Sequence, residues 1–264
     1  MANSLTTEFV PFTRNEYMGW LQDESGRKAQ AAFADAKPED CFHVFAGITD
    51  PKENLESLSK VNLKLPELIY RVANESGSLV VTYGTVMEIR KGMGNPYIES
   101  KRLLRSAQAE YLNRGLLIKH LRLHTVYGID RPQSHMFLGQ ILEALETNSE
   151  FRMTSGRQFR EYHHAEWVAE EIRSKIKSRR SEAVEITDGV RVSLADLATG
   201  IFDYFGRPEL LKLGALPDPD FEAYQEDGTE NMMTASHETI ALVNRVSTYL
   251  QNCLNGYSPN SVER

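Results

Sequence analysis

The chain has 264 residues, 41% apolar and 25% charged, with a net charge of −7. Those proportions suit a globular protein long enough to bury one large core, or a core with a smaller lobe. They exclude a broad nucleic-acid or membrane-binding surface, although a local basic pocket for a phosphorylated ligand remains open. No run approaches the roughly 20 apolar residues of a membrane span. Nothing at the N-terminus reads as a signal peptide. The two cysteines, Cys41 and Cys253, suit a reducing cytoplasm, where both act as small apolar groups.

The first predicted element is a short strand over Glu8–Phe12. A helix with polar faces is expected from Trp20 to Phe33. Cys41–Ala46 is a compact apolar strand that ends at Gly47. Leu58, Val61, Leu65, Leu68, Ile69 and Val72 share a helical period over Leu55–Asn74, and Pro66 implies a kink or a late start there. Leu79–Thr82 is the next strand. A helix over Pro96–Leu112 places Pro96 in its first turn. Leu116–Leu123 is a strand, followed by Gly128. This alternation of strands and helices implies a parallel sheet covered on both faces.

After Gly128 the elements shorten. Helices are expected over Met136–Leu145 and Ala165–Lys177, with short strands at Phe151–Met153 and Val184–Thr187. Ser193 is placed to cap a helix over Leu194–Phe205. Leu213–Asn231 is acidic, proline-rich and aperiodic, so it is expected to be a loop. The last helix, Ile240–Leu254, puts Leu242, Val246, Leu250 and Cys253 on one face. The tail from Gly256 is expected to fray.

The most informative pattern is Thr85, then Tyr97, then Lys101. The i, i+4 spacing sets Tyr97 and Lys101 on one helix face. A phenol with its ordinary pKa near 10 is a poor acid-base group at neutral pH. A neighbouring ammonium is expected to lower that pKa, and the Thr85 hydroxyl to orient a substrate oxygen. Elsewhere, Arg160 suits bidentate binding of phosphate oxygens, and equally a surface ion pair with Glu161 or Glu166. Arg14 would favour the 2′-phosphate of a dinucleotide, and equally reads as a solvated loop residue. His163 and His164 are adjacent. A strand sends such neighbours to opposite faces and no cluster of acids or thiols in the sequence completes a site, so no metal is expected.

Together these residues resemble the extended short-chain dehydrogenase/reductase family, which includes nucleotide-sugar epimerases, dehydratases and reductases. The resemblance runs from about Phe9 to Phe205. Phe42-His43-Val44-Phe45-Ala46-Gly47 is similar to the family strand that ends beside the cofactor. Asn62 resembles the family's asparagine in the next helix, and Val81-Thr82-Tyr83-Gly84-Thr85 the strand that ends in the catalytic Ser/Thr. Leu121-Arg122-Leu123-His124-Thr125-Val126-Tyr127-Gly128 resembles the "LRxxNVYG" stretch near the nicotinamide. Gly156 to His164 resembles "GxxxRDxxHV", in which Arg160 holds the diphosphate-binding position. The short distance from Arg14 to Val44 is most like the dTDP-4-dehydrorhamnose reductase branch.

The resemblance implies an α/β fold: a Rossmann-like parallel sheet flanked by helices, with a small C-terminal α/β substrate lobe. Residues 1–130, with 184–206 returning, would form the core, and 131–183 with 207–264 the lobe. It implies an NAD- or NADP-dependent enzyme acting on a nucleotide-linked sugar. Thr85, Tyr97 and Lys101 would be catalytic. Arg14, Ala46, Gly47, Asn62, Lys101 and Thr125 would hold the cofactor, and Thr85, His124 and Arg160 the substrate. A cytoplasmic homodimer would form through a four-helix bundle of the Leu55–Asn74 and Pro96–Leu112 helices, with no nucleic-acid or membrane partner.

One departure stands out. The family opens with a strand, a glycine-rich turn and a helix that cradles the pyrophosphate. No such turn occurs in this sequence, and Gly92-Met93-Gly94 lacks the third glycine. If Glu8–Phe12 is the family's second strand, the sheet is incomplete at the N-terminus. Each missing charge-assisted bond would cost roughly 1.5–3 kcal/mol of affinity. Two alternatives therefore stay open: a relative that has lost the dinucleotide and does redox-neutral chemistry, or a non-catalytic partner subunit.

Overall fold

The computed structural model of the chain describes residues 10–50, 52–89, 95–218 and 237–256. These residues fall into two compact units. The first is drawn from Met1–Ile89, Gly94–Leu121 and Arg179–Val184, the second from Arg90–Met93, Arg122–Ser178 and Glu185–Arg264. The late segment grouped with the first unit is thus Arg179–Val184, shorter and earlier than the expected 184–206.

The first unit opens with helix α1, Arg14–Gln22, and helix α2, Arg27–Ala32. Thr13 starts α1 through a reciprocal capping box with Glu16. The single helix expected from Trp20 to Phe33 is therefore two. The Asp23 carboxylate accepts from the amides of Ser25 and Lys28, and Gly26 adopts a left-handed φ of 71°. That local bonding competes with the helix ladder and ends it. The strand expected at Glu8–Phe12 is also corrected. Residues 10–12 are not extended into a sheet, and the Phe12 ring packs at 5.0 Å from Trp20 and 5.5 Å from Phe33. Glu8 and Phe9 lie outside the described residues.

Strand β1 is Cys41–Val44, helix α3 Leu55–Ser59, helix α4 Leu65–Ser76, strand β2 Leu79–Thr85, helix α5 Pro96–Asn113 and strand β3 Ile118–Leu123. A wide π-type turn over Lys60–Lys64 joins α3 to α4, and Pro66 sits in the first turn of α4. Proline has no amide proton to give the ladder, and a π-type turn is a known way to absorb that gap. The Leu55–Asn74 helix is therefore continuous but rephased.

The second unit begins with strand β4, Thr125–Tyr127. Helix α6 is Phe137–Thr147, strand β5 Phe151–Arg152, β6 Phe159–Arg160 and β7 Tyr162–His164. Helix α7 is Ala165–Lys177, and strand β8, Glu182–Glu185, lies mostly in the first unit. Strand β9 is Val192–Ser193, helix α8 Leu194–Tyr204, strand β10 Leu211–Lys212 and helix α9 His237–Leu254.

The main sheet has the order β1-β2-β3-β8, with β1 and β2 parallel from Cys41↔Leu79 to Val44↔Thr82. Among the described residues no strand precedes β1, so β1 is a sheet edge. Leu79, Val80, Val81 and Thr82 are buried without alternation, as a strand covered on both faces requires. Val44, Leu65, Ile69, Val80, Leu104 and Ile118 belong to one core.

The second unit pairs β4 with β7 and β5 with β10 in parallel, and β6 with β9 antiparallel. Helices α6, α8 and α9 supply its core, including Ile141, Leu142, Ile201, Phe202, Val246 and Leu250. Ser193 caps α8 by accepting from the Asp196 amide at 2.9 Å. Of the expected loop, residues 213–218 form no regular element, and the rest lies outside the described residues, as does the tail after Gly256. No described helix is long and apolar enough to cross a membrane.

Candidate active site

Strand β2 ends at Gly84-Thr85, and a tight turn over Val86–Ile89 folds Glu88 back over it. A Cβ on Gly84 would lie 2.3 Å from both Glu88 Oε2 and His120 Nε2. Only a glycine lets the carboxylate and the imidazole meet above the strand. Glu88 is 1% exposed. Its Oε1 meets His120 Nε2 at 2.8 Å, and its Oε2 accepts from the Thr85 amide at 3.3 Å. His120 Nδ1 lies 2.9 Å from Thr82 Oγ1 and 2.8 Å from the Gln108 amide, which also donates to Tyr70 Oη. A donor on Nδ1 leaves the ring proton on Nε2, facing Glu88. The carboxylate is thus held in a fully bonded network, as a buried charge must be.

Asn95 caps α5 by accepting from the Tyr97 amide at 2.8 Å. Tyr97 and Lys101 share one face, with Lys101 Nζ 5.9 Å from the Tyr97 ring centre. Lys101 Nζ donates to the Tyr83 carbonyl at 3.0 Å. Burial and then the Glu88 charge push the Tyr97 phenol up to about 12. Burial pushes Lys101 down to about 8, against the Glu88 charge. The expected lowering of the phenol by Lys101 is therefore corrected. In this site desolvation and a buried carboxylate outweigh the ammonium, and Tyr97 rests as the neutral acid.

Asn62 enters from the π-type turn. Its Oδ1 accepts from the Ile48 amide at 2.8 Å, and its Nδ2 donates to the Ile48 carbonyl and to Ser100 Oγ, each at 2.9 Å. This clamp fixes the chain after Ala46-Gly47. A Cβ on Gly47 would lie 3.5 Å from Asn62 Oδ1 and 4.0 Å from Lys101 Nζ. Beside it the exposed Phe45 ring stacks on Tyr83 at 4.6 Å and 10°. Thr85 Oγ1 accepts from the Met87 amide at 3.3 Å. The first unit thus gathers Gly47, Asn62 and Lys101, with Tyr97 and Thr85 linked to them through Lys101 and Glu88. Arg14 is exposed at the start of α1, and its side chain makes no hydrogen bond or ion pair with the described residues.

His124, Thr125 and Arg160 belong to the second unit. Thr125 pairs with Tyr162, and its amide donates to the Glu161 carbonyl at 3.2 Å. Arg160 donates to the Phe159 carbonyl at 3.0 Å and to Gln158 Oε1 at 3.2 Å. His124 turns Nε2 toward Glu185 Oε1 at 2.8 Å and Glu161 Oε1 at 3.6 Å. His163 is buried and His164 half-exposed, so the two rings do take opposite faces. The expectation that no acids gather beside them is corrected. His163 Nε2 lies 3.2 Å from both Glu161 Oε2 and Asp188 Oδ1. Glu161, at the β6–β7 junction, lies two residues before His163, and that spacing in extended chain is a same-face signal that was available in the sequence. Glu185 and Asp188 arrive from a distant segment and carried no such signal. A cleft of about 720 Å³ also lies in this unit, lined by residues that include Tyr127, Arg131, His164, Arg245 and Tyr249.

No protein-family model matches the sequence, and no curated protein does. Solved structures do match. DesIV, a dTDP-glucose 4,6-dehydratase from Streptomyces venezuelae solved with NAD, is 16% identical, covers 87% of this chain and 79% of its own, and has a TM-score of 0.66. A UDP-N-acetylglucosamine 4-epimerase from Methanobrevibacter ruminantium M1 is 12% identical over 89% of this chain and 81% of its own, with a TM-score of 0.69. TunA, an NAD-dependent NDP-hexosamine 5,6-dehydratase, is 14% identical over 86% and 78%, with a TM-score of 0.64. At those identities the likeness speaks for architecture, and this chain has the Rossmann-like α/β fold that these dehydratases and epimerases share.

Proposed function

We propose that the chain is an enzyme that handles a proton and a hydride at a nucleotide-linked sugar, with NAD or NADP as the hydride carrier. The observation that carries this reading is the grouping of Tyr97, Lys101, Thr85, Gly47 and Asn62 in a fold shared with NAD-dependent sugar-nucleotide enzymes. The residues fit the nicotinamide-ribose end of a dinucleotide. Gly47 leaves an open approach to Lys101 Nζ, and Asn62 fixes the chain beside it. Among the described residues no glycine-rich turn precedes β1 to hold the pyrophosphate. A bound nicotinamide supplies the hydride acceptor and donor.

The chain's own groups supply the rest. Tyr97 Oη holds the proton that passes to or from a sugar oxygen. Lys101 supplies positive charge beside the phenol and hydrogen bonds toward the ribose. Thr85 orients the reacting oxygen. Burial, and then the Glu88 charge, hold Tyr97 protonated at rest. Ala46 and Thr125 join the cofactor contacts, and Arg14 the choice of NADP over NAD. Arg160 is proposed as the diphosphate contact and His124 as a substrate contact. A homodimer through α3, α4 and α5 is part of the same reading, supported by the exposed Leu55 and Leu103 side chains on those helices. The two free thiols support a cytoplasmic location.

Calorimetry with NAD(H) and NADP(H) tests the reading directly. Binding below about 1 mM is expected, followed by turnover of dTDP-glucose, UDP-glucose or UDP-N-acetylglucosamine that Tyr97→Phe removes. Failure to bind either dinucleotide sinks it. Light scattering tests the dimer, and a monomer at all concentrations removes that part.

A further inference from the structure

We infer that the second unit holds one divalent first-row transition ion through His124 Nε2, Glu161 Oε1 and Glu185 Oε1. These three residues form a group whose donor atoms all lie within 4.8 Å of one another. His124 Nε2 is 2.8 Å from Glu185 Oε1 and 3.6 Å from Glu161 Oε1. An ion with bonds of about 2.0–2.2 Å in a tetrahedral shell sets its ligands about 3.4 Å apart. The observed spacings bracket that value.

The second observation is independent of the spacing. Glu161 is 1% exposed, yet its Oε1 has no hydrogen-bond partner among the described residues. Nearby donors, His124 Nε2 and Arg191 Nε, stand at 3.6 Å each, beyond hydrogen-bond reach. A buried carboxylate oxygen left in that state is costly unless something else meets it. Its other oxygen is fully engaged. Oε2 accepts from Thr187 Oγ1 at 2.7 Å and faces His163 Nε2 at 3.2 Å. His163 in turn faces Asp188. That backing orients the carboxylate, as outer groups do around bound metals, and leaves Oε1 as the open donor.

The charge balance agrees. Three carboxylates, Glu161, Glu185 and Asp188, gather there with one guanidinium, Arg191, beside Glu161, so a dication is compensated rather than excluded. Glu185 is 30% exposed and the His124 side chain 6%, so an ion has a route in past Glu185. One nitrogen and two oxygens suit Zn2+ or Mn2+ better than a soft thiophilic ion, and a fourth position is left to water. The ligands come from the β3–β4 junction, the β6–β7 junction and the end of β8, so a bound ion ties three distant segments together.

The test uses the full chain, stripped with EDTA and titrated with ZnCl2 and separately with MnCl2, read by calorimetry and by thermal melting. One equivalent is expected to bind and raise the melting temperature. Glu185→Gln, which keeps shape at a half-exposed position, is expected to weaken binding by about tenfold or more. His124→Asn is expected to do the same, with circular dichroism confirming that both variants fold. The inference is overturned if neither ion binds at about 100 µM. It is equally overturned if both variants bind within about twofold of the parent.

Discussion

Among the described residues, Glu88 and Glu161 are the most deeply buried carboxylates of their units, each 1% exposed, and their surroundings differ. Glu88 spends both oxygens on the chain, on His120 and on the Thr85 amide. Around it lie neutral donors, a tyrosine and a lysine. Glu161 spends one oxygen and leaves the other without a hydrogen bond, among further carboxylates. Burial raises its carboxyl, but hydrogen bonds from His163 and Thr187 outweigh that and bring it down to about 2, so it stays ionised. The first carboxylate is completed by its own fold and acts on its neighbours. The second is built to be completed by something else.

The largest effect that tests this contrast is on rate. Tyr97→Phe removes the proton-handling oxygen and is expected to lower turnover by about a thousandfold, measured as product formed from a sugar nucleotide with NAD. Wild-type rates in that variant would leave the first site without its proposed role. Glu88→Ala comes next. It strips a buried charge from a bonded pair and is expected to cost about 3–5 kcal/mol, read as the urea midpoint, while Glu88→Gln keeps the shape and loses less. An unchanged midpoint for Glu88→Ala would erase the distinction between the two carboxylates. Gly84→Ala drives a methyl group into Glu88 and His120 and is expected to cost about 1–3 kcal/mol by the same measurement.

The pH dependence is subtler. Lys101 titrates near 8 in the folded chain against an ordinary 10.5. Between those values the unfolded chain holds a proton that the folded chain does not, so stability rises with pH across that window. Below about 8 the full cost of burying the charge is present. Tyr97 acts in the opposite direction, from 10.0 to about 12, and the Cys41 and Cys253 thiols, raised from 9.0, act from about 9 upward, so the interval from about 8 to 9 is the one governed by Lys101. Urea unfolding over that interval should rise for the parent relative to Lys101→Met, and parallel curves would contradict the assignment. The smallest effect belongs to the second unit. Ser193→Ala removes the α8 cap and should cost about 1 kcal/mol, with no change in the Lys101 window.

Much of the scaffold was legible before any coordinates. Ala165–Lys177 is helical over the expected bounds because its apolar period is unbroken. Tyr97 and Lys101 share a face because i, i+4 spacing leaves no other arrangement in a helix. What stayed hidden depends on neighbours across the sheet. Glu88 carries no signal in the sequence, and only the return of the chain over Gly84 brings it to His120 on β3. For the same reason the sign of the Tyr97 shift was not available, since the ammonium is visible in the sequence and the burial is not. Trp20–Phe33 carries helix-compatible residues throughout, and the break comes from one side chain, Asp23, that outcompetes the ladder.

The π-type turn over Lys60–Lys64 has a further consequence, best put in terms of chain length. It stores one residue more than an ordinary helical turn, and each helical residue advances the faces by about 100°. Removing that residue would leave a regular helix of almost the same length, but with α3 and α4 out of phase with each other. Asn62 would swing away from Ile48 while Leu65 and Ile69 stayed in the core, or the reverse. Deleting Lys60 is therefore expected to unlock the Ile48 amide, seen as faster hydrogen exchange there. A single-residue gap, harmless in most surface helices, would here uncouple the Ala46-Gly47 segment from the helix that fixes it.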